Sequence, residues 1–182
     1  MKRYFAGAVV FVLSLSLVTV SLTGCNKRKS SSSKIESEKP SNLVFNDKIK
    51  NLSLAELLPP PSITKRTGKL EAEIKDNVKE EYMFGTLAGQ YGKLPTAVEH
   101  IRKALLMEPN FIDAHHNLGL AYYKMGRVED AINEWKRTLR LDPSYAETYY
   151  NLAVFLMDCR RMDDALTLLK KCVEFSQYHL KA

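Results

Sequence analysis

Thirty-four residues separate Glu108-Pro109-Asn110 from Asp142-Pro143-Ser144, and the same interval recurs at five other kinds of position. Gly85, Gly119 and Ala153 share a register, as do Ala97, Ala131 and Ala165. So do Ile101, Trp135 and Leu169, then Ala104, Thr138 and Cys172, and finally Gly92, Gly126 and Arg160. A constant period of this length identifies one supersecondary unit that is used repeatedly. Such a unit cannot bury its apolar face alone, so neighbouring copies must stack to make a core. From about Lys69 onward the apolar residues follow helical spacing, which makes each unit a pair of helices.

These residues resemble the tetratricopeptide repeat, with units at 78–111, 112–145 and 146–179. The resemblance implies an all-α, right-handed superhelical solenoid of about three helical hairpins, occupying 69–182. It also implies close helix approach at the small residues and a large side chain (Ile101, Trp135, Leu169) between the two helices. Pro109 and Pro143 would end second helices. The first unit departs from the pattern, having Glu81 and Tyr82 early in its first helix. Pro95 falls in the first turn of a second helix, where it is tolerated. Gln177 replaces the closing Pro of the third unit, so the last helix should run nearly to Ala182. Ser144 with Glu147, and more weakly Asn110 with Asp113, have the spacing of a capping box. Glu129, Asp130, Asp163 and Asp164 open second helices, while Lys136, Arg137, Arg140, Lys170 and Lys171 lie toward their far ends. That arrangement complements the helix dipole and calls for no chemistry.

The other half of the chain has a different character. Lys2 and Arg3 precede an apolar run from Phe5 to Val20 that is Ser-interrupted and short for a membrane span, which needs roughly 20 apolar residues. It fits an export signal better. It ends in Leu22-Thr23-Gly24-Cys25, which resembles the lipobox of bacterial lipoproteins. That resemblance implies a signal peptide at 1–24, a diacylglycerol (and palmitate-type acylation) on Cys25, and cleavage just before it. Asn26, not Asp, follows the Cys, so the expected destination is the bacterial cell envelope, on the outer membrane facing the periplasm if there are two membranes. Losing Lys2 and Arg3 lowers the formal charge from +6 to about +4. Outside the cytoplasm that charge has no nucleic acid to meet, though Lys27, Arg28 and Lys29 suit an anionic lipid surface. Residues 25–68 form the lipidated Cys and a Ser-, Lys- and Pro-rich tether, flexible from Asn26 to about Asn42. Scattered apolar residues follow at 43–58, where Ser53 could cap a short helix ended by Pro59-Pro60-Pro61.

In the repeat family the first helices line a concave groove. The resemblance places Tyr82, Met83, His116, Asn117, Leu120, Tyr123, Tyr150, Asn151 and Val154 there as a partner-binding set. Asn117 and Asn151 share the sixth position, where an amide can bond the main chain of an extended peptide. Tyr82 and Glu147 stand where a clamp for a terminal carboxylate needs cations, so that mode is not expected. Asp113 and His116 share a helix face, but His115 diverges by about 100°, leaving too few ligands for a metal. Gly89 to Lys93 lacks the remaining residues of a phosphate loop. Cys159 and Cys172 lie on opposite helices of one hairpin, offset by roughly 15 Å along the axis, and read as small packing residues and not as a disulfide. Leu166, Leu169, Val173 and Phe175 crowd the last helix, and some should face outward as a docking or self-association surface, unless the N-terminal segment folds over that end. Together these features point to a lipid-anchored, non-enzymatic adaptor that holds a protein or extended peptide, with no cofactor and no nucleic acid. A self-associating structural lipoprotein, or a pilotin that accompanies a pilus or secretion pore, is the alternative.

Overall fold

The computed structural model describes residues 45–179, which carry eight α-helices and one short 3-10 turn. Two brief helices come first, α1 (Asp47–Lys50) and α2 (Leu54–Leu57), and the 3-10 turn follows at Glu71–Glu73. Three hairpins make up the rest: α3 (Asp76–Gln90) with α4 (Leu94–Met107), α5 (Ile112–Lys124) with α6 (Val128–Leu141), and α7 (Ala146–Asp158) with α8 (Met162–His179). Among the described residues there is no sheet, and no helix is long and apolar enough to cross a membrane. The expected signal peptide, Cys25 and the expected tether over Asn26–Asn42 lie outside the described residues.

Each hairpin closes on the residues that carry the repeat. A methyl group built on Gly85 would sit 2.6 Å from Ile101 Cγ1 and 3.2 Å from the Ala97 carbonyl oxygen. One built on Gly119 would sit 2.5 Å from Trp135 Nε1 and 3.2 Å from the Ala131 carbonyl oxygen. The small residue of the first helix is therefore pressed against the small and the large residue of the second. Ala97, Ala131, Ile101 and Trp135 are all buried. Pro95 stands in the first turn of α4, and α4 and α6 stop two residues before Pro109 and Pro143. With no Pro in the third unit, α8 runs on to His179.

The turn between the two helices of each hairpin needs a left-handed residue. Gly92 and Gly126 supply it with φ of 72° and 77°, and Arg160 does so with φ of 62°. A side chain in that region costs roughly 1–2 kcal/mol that glycine does not. Arg160→Gly is therefore expected to raise stability by about 1 kcal/mol, read as a higher denaturation midpoint at unchanged m-value.

The two capping boxes are not formed. The third unit's first helix starts at Ala146 with Tyr145 as its N-cap, one residue later than a Ser144 cap requires. Ser144 instead donates both its N–H (2.9 Å) and its hydroxyl (2.7 Å) to Asp142 Oδ1. Asp113 is likewise drawn away, accepting from the Tyr145 hydroxyl at 2.7 Å and the Glu71 N–H at 2.8 Å.

Residues 45–68 are not a flexible tether but a strap packed along the repeats. Ile49 and Leu57 are buried, and the Phe45 ring meets Phe155 edge-on at 5.7 Å. The α2 helix carries a complete capping box between Ser53 and Glu56. Arg161 donates to the main-chain carbonyls of Lys50 and Leu52, tying the strap to the α7–α8 turn. Further on, the Thr67 and Gly68 N–H groups donate to the Leu141 carbonyl at 2.7 and 3.2 Å. Lys69 pairs with the α4–α5 turn through Lys69 N–H to Asn110 O (2.8 Å) and Ile112 N–H to Lys69 O (2.9 Å). Leu141 is the last residue of α6, whose carbonyl has no partner within its helix. The strap thus offsets its ordering entropy by burying apolar residues and by satisfying backbone groups that the helices leave over. Gly68 fits only as glycine, because a Cβ there would lie 2.6 Å from Ile112 Cγ1 and 2.8 Å from Asn110 O.

Candidate functional site

The first helices α3, α5 and α7 lie side by side, cross-linked by hydrogen bonds between residues 32 or 35 apart, about one repeat. Asn117 Nδ2 donates to the Tyr82 hydroxyl at 2.6 Å, and the Tyr123 hydroxyl donates to Asp158 Oδ2 at 2.5 Å. His116 Nδ1 lies 2.9 Å from Thr148 Oγ1, and its Nε2 lies 3.4 Å from Asn151 Nδ2. Burial raises the Tyr82 phenol above its ordinary range, with the charges of Asp113 and Glu71 adding to the effect. The Tyr123 phenol is raised by burial first and by its bond to Asp158 second. Both stay protonated near neutral pH, Tyr82 as an acceptor from Asn117 and Tyr123 as a donor to Asp158. Burial pushes the His116 imidazole down to about 4, with Glu147 opposing weakly, so its ring is neutral there.

The nine groove residues therefore divide. Tyr82, His116 and Tyr123 are buried and make hydrogen bonds between repeats. Asn117, Leu120, Asn151 and Val154 are half-buried, and Met83 and Tyr150 are exposed. Sequence position alone could not separate these groups. It gives the helix face, while the approach of neighbouring first helices decides which side chains on that face touch. His115 turns away from the groove, with Nδ1 2.6 Å from Glu134 Oε2 and Nε2 2.9 Å from the Pro109 carbonyl. Among the described residues no group of three His, Cys, Asp or Glu side chains is placed to hold a metal. Cys159 and Cys172 are both free thiols and half-buried, more exposed than fully internal packing residues.

Two clefts open between these helices. The first, about 200 Å³, is lined by Gly85, Thr86, Gly89 and Gln90 of α3 and by Asn117, Leu120 and Lys124 of α5. Because Gly85 and Gly89 have no side chains, Leu94, Ala97 and Ile101 of α4 show through and give it an apolar floor. The second, about 400 Å³, is lined by His116, Leu120, Glu147, Tyr150, Asn151, Cys172 and Ser176. Leu120 borders both clefts, so they adjoin along the groove. Gly85, Gly89 and Ser176 were not among the expected site residues. The glycines carried a signal, since a small residue on a groove-lining helix exposes what lies beneath it.

The fold and this groove define a helical-hairpin solenoid of the protein-interaction kind. Family models agree. A TPR repeat model matches residues 90–126 and 121–158, and a tetratricopeptide repeat model matches 146–180. Together they run from 90 to 180, and that part of the chain is built of tetratricopeptide repeats. Both models describe repeats, not catalytic domains. A crystal structure of MamA is similar with a TM-score of 0.53, at 22% identity over 58% of this chain and 61% of that one. A second MamA crystal structure has a TM-score of 0.50 at 22% identity, over 57% of each chain. The chain thus spans less than two thirds of the length of these structures, and the likeness concerns the fold. No curated protein sequence matched. The family matches begin at Gln90, the last residue of α3, yet α3 packs as a full first helix through Gly85 against Ile101.

Proposed function

We propose that the chain is a membrane-anchored adaptor of the bacterial envelope, held by a lipid on Cys25, that binds an extended segment of a partner protein in the groove. The adjoining clefts at Leu120 are the observation that carries this reading. They offer an apolar floor, amides at Gln90, Asn117 and Asn151, and a flat exposed ring at Tyr150. A short row of apolar pockets beside amide groups suits a peptide in extended form, whose side chains enter the pockets while its backbone meets the amides. The lipid rests on Lys2, Arg3, the apolar run and Leu22-Thr23-Gly24-Cys25. Acylation with two or three chains would hold the protein firmly, since one chain alone is marginal.

Two measurements test this. Selection from a displayed peptide library should yield a consensus for the wild type, and Leu120→Asp should weaken the selected peptide at least tenfold, or about 1.4 kcal/mol, at unchanged melting temperature. Equal affinity in the variant would remove the groove from the proposal. Labelled palmitate should enter the wild type in cells and be absent from Cys25→Ser; label in both would remove the anchor. The self-associating alternative, with or without a pilotin role, draws on a different feature: Met162, Leu166 and Val173 form an exposed apolar stripe on α8.

A further inference from the structure

Repeat position gives each exposed apolar residue on α8 a buried counterpart. Leu166 is 52% exposed and Val173 56%, but the residues one repeat earlier, Ile132 and Leu139, are 3% and 0% exposed. Two repeats earlier, Val98 is buried and Leu105 half-buried. The opposite end of the stack shows the reciprocal pattern. Phe84 and Leu87 of α3 are each 46% exposed, while Leu118 and Ala121, one repeat later, are buried, as are Leu152 and Phe155 after them. The contact these positions make inside the molecule is visible where α5 meets α4: Leu118 and Tyr122 share a cleft with Arg102, Leu105 and Leu106. One pair of positions is thereby matched across the helix boundary. The Leu118 position meets the Leu105 position, and at the two ends these positions are held by Phe84 and Val173.

We infer that a second copy of this chain is the occupant of both faces, with α3 of one copy packing on α8 of the next as α5 packs on α4. This rests on the self-association reading and specifies it as head-to-tail. What supports a second copy is continuity with an interface already built twice in the molecule, and the presence of both of its halves, about half exposed, on opposite ends of the described repeats. Glu80 adds one acid to the α3 face, at the position of Ala114 and Thr148, and Lys170, exposed on α8, offers it a counter-charge. Solenoid ends need a polar cap to stay single. A face that joins unlike surfaces does not close on itself in a pair, so it continues into a ring or a filament.

The test uses the full chain in density-matched detergent and two double variants, Leu166→Glu/Val173→Glu and Phe84→Glu/Leu87→Glu. Sedimentation velocity should show the wild type growing past a dimer as concentration rises, and each variant alone as a monomer. An equimolar mixture of the two variants should stop at a dimer, because one intact α8 face and one intact α3 face remain. A wild type that stays monomeric at every concentration would overturn the inference, with the faces covered by other parts of its own chain. Association lost in the α8 variant but retained in the α3 variant would mean that α8 pairs with α8. That outcome keeps self-association and sinks the head-to-tail arrangement. Melting temperatures verify folding, and Leu166→Gln and Phe84→Gln replace any variant that fails to fold.

Discussion

Truncating Trp135 to Ala is expected to destabilise the solenoid by about 3–5 kcal/mol, the range for removing a large buried aromatic. That is a large share of the roughly 5–15 kcal/mol that holds a domain of this kind together. Trp135 is fully buried in α6, faces Gly119 of α5 and stacks at a tilt on Tyr123 with ring centroids 5.4 Å apart. Its loss would open the middle hairpin, against which both others pack. Trp135 is the only tryptophan in the chain, so unfolding should be followed by far-UV circular dichroism in urea. Trp135→Phe is expected to cost much less. The indole Nε1 is buried with no acceptor among the described residues, and the phenyl ring removes that unpaired donor while filling most of the space. Gly119→Ala supplies the sharper check. Alone it should cost about 1–3 kcal/mol by overpacking, since its Cβ meets Trp135 Nε1 at 2.5 Å and Cδ1 at 2.6 Å. In the Trp135→Ala background those atoms are gone, and the same change should cost far less, with the Ala131 carbonyl oxygen at 3.2 Å as the remaining tight contact. Additive effects would mean that the two residues are not locked together.

That lock was legible from the sequence because it recurs. Gly85 with Ile101 and Gly119 with Trp135 stand at fixed spacing, and the packing reproduces the pairing. The left-handed turns at Gly92, Gly126 and Arg160 follow for the same reason. The strap was not legible as such. Ile49 and Leu57 sit in four-residue helices too short to show a period, and what seats them is set by distant groups such as the Leu141 carbonyl and the Arg161 guanidinium. The groove was legible as a face and illegible as a surface. Tyr82, His116 and Tyr123 point where their register says, but the neighbouring helix comes close enough to bury them and to take up their hydrogen-bonding groups. The capping boxes misled for a related reason. Asp142 reaches Ser144 first, and a side chain satisfied in the turn cannot also cap the helix.

His116 makes the groove sensitive to acid, and the expected loss is about 3 kcal/mol between pH 6.5 and pH 4. Burial lowers its folded pKa from the ordinary 6.5 to about 4. The unfolded chain takes up the proton near pH 6.5, whereas the folded chain resists it until about pH 4. Across that window the unfolded state binds more protons, so stability falls as the pH falls, by up to 1.36 kcal/mol per unit. Its surroundings explain the resistance. The ring is packed against Tyr145 at 5.1 Å between centroids, bonded to Thr148 and next to Asn151, and Glu147 is the one charge that favours protonation. Carboxylates in the exposed ion pairs, such as Glu108 with Lys69 and Glu73 with Arg66, also lose their partners in acid, but at lower pH, because those partners hold them below the usual range. His116→Asn separates the two effects. It keeps a polar group toward Thr148 and removes the titrating ring, so its stability should be lower at pH 7 yet nearly flat down to about pH 4.5, where the wild type declines steeply. Urea midpoints measured by circular dichroism at a series of pH values give both curves. Parallel curves would show that His116 does not carry the acid response, while convergence toward pH 4 would assign it to the contact between α5 and α7 that shapes the larger cleft of the groove.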